Sequence, residues 1–248
     1  MAVKHYLGID EVLSLHNALV KDFEGADDPI SPSGPRDETL LHSALGRPRT
    51  SLGSKEKYTH IAEKAAALLH SLIMNHPFHN GNKRTALVSM LVFLDKNGRK
   101  LIVKDDVIFH FIVAIASKEP PYDGSPDEII KNMVVWIKEY INPIKSTPSS
   151  MAINEFIKSC ESAGAKCLHR GHGGGWVVHG LPSTGKGIVM LSGSTKKLDG
   201  PAIKRYLQKL GLSEGLAGIH FEEFQDGLDP NQKIIRNYRT VLKRLAYV

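Results

Sequence analysis

The 248-residue sequence has few cysteines, few aromatic residues and no long apolar run. Its two cysteines, Cys160 and Cys167, have no second pair to complete a zinc site, so we expect them to be packing residues, with a disulfide as the alternative that a reducing cytoplasm disfavours. No run reaches the roughly 18 apolar residues that a transmembrane helix needs, and the N-terminus has no apolar signal segment. These absences predict a cytoplasmic protein without membrane contact.

The rest of the composition predicts a folded chain with two domains. The length exceeds that of one ordinary domain, and neither the apolar nor the charged fraction indicates disorder. Residues 142–150 are rich in proline and serine, and they follow an apolar-periodic segment whose helix they cannot continue. We therefore predict domains at 1–145 and 151–248, joined by a linker at 146–150.

Charge is distributed unevenly between these parts. Residues before Met151 contain 18 Lys and Arg and 18 Asp and Glu, whereas residues from Met151 on contain 14 and 8, so the second part carries the whole net charge of +6. This balance makes RNA or an acidic protein surface a candidate partner of the second domain. A solvated surface is the alternative for its cations, which include Lys196, Lys197, Lys204, Arg205 and Lys209.

Apolar periodicity predicts an α+β protein whose two domains differ in class. In the first domain it predicts an all-α core, with helices near 9–24, 37–46, 59–75, 82–97, 104–117 and 126–141. In the second it predicts the order α-β-β-β-α, with a helix at 152–163, strands at 167–169, 175–179 and 187–191, and a helix at 200–210. The tail 231–248 is basic and amphipathic, which fits either docking on a core or contact with an antitoxin or RNA.

One segment between two apolar helices, HPFHNGNKR from His76 to Arg84, has the residues that phosphate chemistry needs. The first backbone N–H groups of a helix lie at the positive end of its dipole and bind anions. Gly81 allows a close approach, Asn82 can cap the helix or bond an oxygen, and Lys83 and Arg84 add charged donors. His76 titrates near neutrality and could accept a proton. A capped turn with solvated cations is the alternative.

This segment, extended to HPFHNGNKRTA, resembles the signature loop of the Fic/Doc superfamily in its Doc (death-on-curing) form. The family pattern is roughly H-x-F-x-[D/N]-[G/A]-N-K-R, and every fixed position is matched. Residues 6–12, 35–48 and 93–98 resemble further family blocks, so that about the first 145 residues are covered. The resemblance implies an all-α Fic/Doc helical core.

The resemblance also implies a role for each residue of the loop. His76 would be the general base, Phe78 the buried anchor and Asn80 the position on the metal side. The implied catalytic residues are His76, Lys83 and Arg84. The implied cofactor-binding residues are Phe78, Asn80, Gly81, Asn82, Lys83 and Arg84. Asn80 offers a neutral carbonyl where an aspartate would offer a charge, so we expect weaker metal binding, and a non-catalytic copy stays open.

The implied activity is that of a toxin kinase, which uses ATP and Mg²⁺ to transfer the γ-phosphoryl group to a hydroxyl of a protein such as the translation factor EF-Tu. Fic adenylyltransferases usually have Gly at the place of Lys83 and a second Arg at the place of Leu87. A bulky cation should obstruct their phosphate pose, so phosphoryl transfer is favoured over AMP transfer. The alternatives are AMP transfer by the same loop and a catalytically idle module that binds a partner or RNA.

Two further expectations concern partners. The inhibitory pattern of some Fic proteins, a Ser or Thr with a Glu four residues on and then Gly or Asn, is not found, so inhibition should come from an antitoxin in trans. The second domain weakly resembles HicA-type toxins, which have a double-stranded-RNA-binding-like fold. Residues 173–176 stand where that family has a catalytic histidine, so nuclease activity is not expected.

Overall fold

The computed structural model describes residues 5–144, 149–171, 173–181, 187–212, 224 and 230–247. The chain forms two compact units, one made of Met1–Ile144 together with Asn231–Val248 and the other of Lys145–Pro230. The predicted linker at 146–150 lies mostly outside the described residues. Of the helices within these ranges, none is long and apolar enough to cross a membrane.

The first unit contains the predicted helices. They begin and end within two residues of the predicted bounds and are α1 Ile9–Asp22, α2 Glu38–Gly46, α3 Ile61–Asn75, α4 Asn82–Lys96, α5 Asp105–Ser117 and α6 Pro126–Tyr140. Two short antiparallel strand pairs that periodicity did not predict join them: β1 Ser51–Leu52 with β2 Lys55–Glu56, and β3 Arg99–Leu101 with β4 Ile141–Pro143. The fold is α+β with a helical core, as expected.

Helices α3 and α4 are the centre of the first unit. Each helix buries 11 of its 15 residues, and Ala65, Leu69 and Ile73 of α3 and Leu87 of α4 are completely inaccessible. A helix that is mostly apolar and buried around its circumference belongs in an interior. Because both helices are packed on all sides, the loop that joins them is fixed at both ends.

The second unit has the predicted α-β-β-β-α order. Its main elements are α7 Ile153–Ser162, β6 Lys166–His169, β7 Trp176–His179, β8 Ile188–Leu191 and α8 Gly200–Lys209, with a short antiparallel pair of β5 Met151–Ala152 and β9 Lys197–Leu198. The three long strands form an antiparallel sheet in the order β6-β7-β8, with Cys167, Val178 and Val189 in register. Both cysteines are free thiols; Cys160 is completely buried in the core of this unit, and the partly buried Cys167 packs against that core.

The C-terminal segment, residues 231–247, differs from the predicted domain boundary. Two helices, α9 Pro230–Asn237 and α10 Arg239–Arg244, return the chain to the first unit, where Ile235, Val241 and Leu242 are completely buried in its core. The prediction that 151–248 forms one domain is therefore wrong for this segment. Periodicity identified its apolar face, but it cannot identify which of two cores that face packs on.

Candidate active site

The loop between α3 and α4 is set by two residues in the left-handed region. His76 ends α3 with φ 47° and ψ 55°, and Gly81 caps α4 with φ 74°. Residues other than glycine rarely adopt these backbone angles, so His76 is held in a backbone conformation that costs energy. A Cβ on Gly81 would lie 3.0 Å from Cδ1 of Ile30, a contact so tight that the Ile30 side chain would have to shift.

Asn82 closes the loop through its side-chain amide. Its Oδ1 accepts a hydrogen bond from the backbone N–H of Phe78 at 2.9 Å, and its Nδ2 donates to the Phe78 carbonyl at 2.8 Å. Asn80 Oδ1 accepts from the Gly81 N–H at 2.6 Å. The Asn82 side chain therefore clamps the loop, and its own backbone N–H belongs to the first turn of α4, where N–H groups lack helical partners.

Phe78 anchors the loop against α1. Its ring is buried and stacks on His16, with ring centroids 4.1 Å apart and planes 13° from parallel. The Gly34 N–H donates to His16 Nε2 at 3.1 Å, and Nδ1 lies 2.9 Å from Thr85 Oγ1, a pattern that fits a neutral ring with its proton on Nδ1. Burial, with the nearby charge of Arg84, lowers the pKa of His16 to about 4. The anchor therefore stacks on an uncharged imidazole.

The segment before α2 forms one wall of the loop. The Arg36 and Asp37 N–H groups donate to the Pro77 carbonyl at 2.7 and 3.2 Å, and the His79 N–H donates to the Gly34 carbonyl at 3.3 Å. Asp37 also caps α2, because its carboxylate accepts from the Thr39 N–H at 2.8 Å. Backbone bonds thus connect this wall directly to the loop.

His76 and Lys83 have the electrostatics of an anion site with a base. His76 is exposed, and partial desolvation lowers its pKa, with the charges of Arg36 and Lys83 lowering it further. A lowered pKa keeps the imidazole neutral near pH 7 and able to accept a proton. Burial, followed by the charge of Arg84, lowers the pKa of the half-buried Lys83.

Arg84, which the sequence suggested as a charged donor to phosphate, is buried and bound to another part of the chain. Its side chain is 2% exposed, and Nη1 donates to the Asp28 carbonyl at 3.2 Å while Nη2 lies 3.5 Å from the Asp28 carboxylate. The guanidinium also lies 5.3 Å from the ring centroid of Phe23. From this buried position the positive charge of Arg84 contributes to the lowered pKa values of Lys83 and His16.

The donor set of the loop fits a magnesium ion only with the help of other ligands. Asn80 Oδ1 is directed to the Gly81 N–H, and Asn80 Nδ2 donates to the Ser31 carbonyl at 3.3 Å. Within the described ranges, no three acidic, histidine or cysteine side chains form a group that could hold a metal. Such a site suits Mg²⁺ carried mainly by phosphate oxygens and water, with one neutral protein ligand.

All the predicted site residues lie in one loop or at the start of α4, but their side chains differ in exposure. The side chains of Phe78, Asn82 and Arg84 support the loop from within, whereas His76 is exposed. Sequence reasoning missed the supporting partners His16, Asp28 and Ile30. For His16 a signal existed, since it lies beside Val12, Leu15 and Leu19 on the buried face of α1. Asp28 and Ile30 lie in an irregular segment without periodicity.

Comparisons with known proteins agree with this geometry. The sequence model of the Fic/DOC family matches residues 6–94. Over 72 residues the chain is 43% identical to Toxin Doc of Mycolicibacterium smegmatis, covering 29% of this chain and 55% of that protein. Over 93 residues it is 30% identical to Protein kinase doc of Escherichia phage P1, covering 38% of this chain and 68% of that protein. The chain thus spans about half of the first relative and two thirds of the second, and it belongs to the Fic/Doc family.

Proposed function

We propose that this protein is a Doc-type kinase that transfers the γ-phosphoryl group of ATP to a hydroxyl of a protein. The observation that carries the proposal is the loop geometry, in which a strained, neutral His76 lies five residues before the glycine-capped start of α4. The similarity to a relative named a protein kinase supports it. Phosphoryl transfer depends mainly on positioning and charge stabilisation, and this loop provides both.

His76 acts as the general base in this proposal. Its imidazole takes the proton of the acceptor hydroxyl, the hydroxyl oxygen bonds to the γ-phosphorus, and the bond from that phosphorus to the β,γ-bridging oxygen breaks. ADP leaves with the bonding electrons, and the phosphorylated protein is the second product. The lowered pKa of His76 keeps the ring unprotonated at the start of the reaction.

The start of α4 stabilises the negative charge on the phosphates. The N–H groups of Asn82 and Lys83, together with the Lys83 ammonium, are donors to the phosphate oxygens, and Arg84 contributes its charge from its buried position. Mg²⁺ would neutralise phosphate charge, with Asn80 as its protein ligand. Gly81 keeps the backbone accessible to the phosphates.

AMP transfer by the same loop is the rival activity. A cation at position 83, where adenylyltransferases usually have glycine, favours phosphoryl transfer because its side chain would occupy the space of the alternative pose. Incubation of the protein with a bacterial lysate and ATP labelled at either the α- or the γ-phosphate distinguishes the two. We expect label from the γ-position alone in the target.

The partners belong to the same proposal. We infer a protein target, with a translation factor as the first candidate, and an antitoxin in trans that silences the enzyme. RNA contact by the second unit has less support than its sequence suggested, because 5 of the 14 cations after residue 150 lie in the C-terminal segment. Residues 151–230 retain 9 Lys and Arg against 8 Asp and Glu. RNA contact and the HicA-like character of this unit stay predictions.

Mass spectrometry of purified EF-Tu and of a bacterial lysate tests the activity after incubation with the protein, ATP and Mg²⁺. We expect a phosphoryl adduct that His76→Ala lowers by at least about 100-fold, the usual size of a general-base contribution. His79→Ala is the matched control, since it removes an exposed imidazole from the same loop and leaves the backbone bond to Gly34. An equal loss in both variants, or full activity of His76→Ala, would refute this mechanism.

A further inference from the structure

The acidic segment, residues 22–28, covers the buried Arg84. It contains Asp22, Glu24, Asp27 and Asp28 and no cation. Asp28 binds the Arg84 guanidinium through both its carbonyl and its carboxylate. Four carboxylates within seven residues repel one another, so nearby positive charge favours the observed position of this segment.

The C-terminal segment supplies positive charge on a second side. It contains five cations and no acid. Arg239 donates from Nε to the Asp22 carboxylate at 3.0 Å and from Nη2 to the Asp22 carbonyl at 3.1 Å. Lys243 lies 3.4 Å from the Asp27 carboxylate, and the Tyr247 hydroxyl donates to the same carboxylate at 3.4 Å. The acidic segment is thus held between Arg84 and the C-terminal segment.

Phe23 connects the two cationic sides. The guanidinium of Arg84 lies 5.3 Å from its ring centroid, and that of Arg239 lies 5.9 Å from the same centroid. Both distances are within the range of a cation–π interaction. The buried ring therefore touches the C-terminal segment and the start of α4 together, and a shift of one guanidinium changes the surroundings of the other.

In the C-terminal segment, different residues make the apolar contacts and the ion pairs. Val241, Leu242 and Leu245 fix it in the core of the first unit, whereas the side chains of Arg239 and Lys243 are 58% and 57% exposed. Exposed ion pairs contribute little to stability, and the apolar contacts contribute more. The charges can therefore be removed while the fold remains.

We propose that the C-terminal segment is a brace that positions Arg84 in the active site, acting through the acidic segment, with Arg239, Lys243 and Tyr247 as positioning residues. The inference rests on the proposed phosphoryl transfer for its effect on catalysis, but the positioning of Arg84 is measurable without any activity. The residues that position Arg84 therefore come after the second unit in the sequence, although they belong to the first unit.

Side-chain NMR of Arg84 tests the positioning directly in the full-length protein. The Nε–H signal of Arg84, assigned by its loss in Arg84→Lys, should exchange slowly with solvent because the guanidinium is buried. In Arg239→Gln/Lys243→Gln we expect exchange about fivefold faster, the factor that corresponds to two lost exposed ion pairs. The matched control is Arg244→Gln, a cation of the same helix that pairs with Asp106 instead. It should leave the exchange rate unchanged.

A variant in the acidic segment controls for the possibility that substitutions in the C-terminal segment disturb its helices. Asp27→Asn removes the partner of Lys243 and Tyr247 without altering the C-terminal segment, and we expect the same direction of change in Arg84 exchange. In transfer assays both variants should lower kcat several-fold with little change in the KM for ATP, since the charge of Arg84 acts on the transferring phosphoryl group.

The outcomes separate the two proposals. Unchanged Arg84 exchange in both brace variants, or an equal change in Arg244→Gln, overturns the brace. Faster exchange together with a wild-type protein that transfers nothing supports the brace and refutes the proposed kinase. A kcat loss that is specific to the brace variants supports both.

Discussion

Gly81→Ala should destabilise the protein by about 2–5 kcal/mol. The left-handed φ of 74° at this position costs a residue with a Cβ about 1–2 kcal/mol. The new Cβ would also lie 3.0 and 3.1 Å from two carbons of the buried Ile30 side chain, and overpacking of this kind costs about 1–3 kcal/mol. Urea unfolding measures the sum.

Gly98→Ala separates the two contributions. Gly98 has a similar φ of 67°, but a Cβ there would meet nothing within 4 Å, so its replacement should cost only the conformational part, about 1–2 kcal/mol. The difference between the two variants is the steric part at position 81.

A double mutant then identifies Ile30 as the source of the clash. Ile30→Ala alone removes a buried side chain and should cost about 2–5 kcal/mol. In Gly81→Ala/Ile30→Ala the new methyl group has space, so the total loss should be smaller than the sum of the single losses by the steric part, about 1–3 kcal/mol. Equal costs of Gly81→Ala and Gly98→Ala, or strict additivity with Ile30→Ala, would refute this reasoning.

Two other predictions concern buried polar groups. The pKa of His16 is about 4 in the folded protein and 6.5 as a reference, so between these values the unfolded chain binds more protons and the protein loses stability as pH falls. We expect His16 to lower the free energy of unfolding by about 2 kcal/mol between pH 7 and pH 5. Urea unfolding at both pH values should therefore show a smaller loss of stability in His16→Gln than in the wild type, and equal losses would contradict this prediction. The Ser89 hydroxyl on α4 is buried and, among the described residues, has no hydrogen-bond partner, so Ser89→Ala should raise the free energy of unfolding by about 1 kcal/mol, and a lower melting temperature would disprove the assignment.

The helices were predictable because their signals are local. Asp37 and the glycine-capped start of α4 mark helix ends by contacts that span a few residues, and the buried faces follow the helical period. The β1–β2 and β3–β4 pairs were missed because strands of two or three residues have too little pattern to recognise. The loop was predictable because it lies between two apolar-periodic segments and contains the residue types that phosphate chemistry needs.

The supporting contacts were not predictable, because they join distant residues. Arg84 meets Asp28 across 56 positions and Arg239 meets Asp22 across 217. The basic character of the tail was visible in the sequence, but it indicated a nucleic-acid or antitoxin partner as readily as the acidic segment that it contacts. A basic segment predicts that its partner is acidic, but it does not predict where that partner lies.

The sequence by itself determined the family, the helical core and the loop that carries His76, Gly81 and Lys83, because each depends on residues close together in the chain. The tertiary structure alone decided that Arg84 is buried, that Asn82 clamps the loop and that the C-terminal segment belongs to the first unit. The physical reason is that burial and ion pairing depend on which surfaces meet, and an amphipathic or charged segment is compatible with more than one surface until the chain folds.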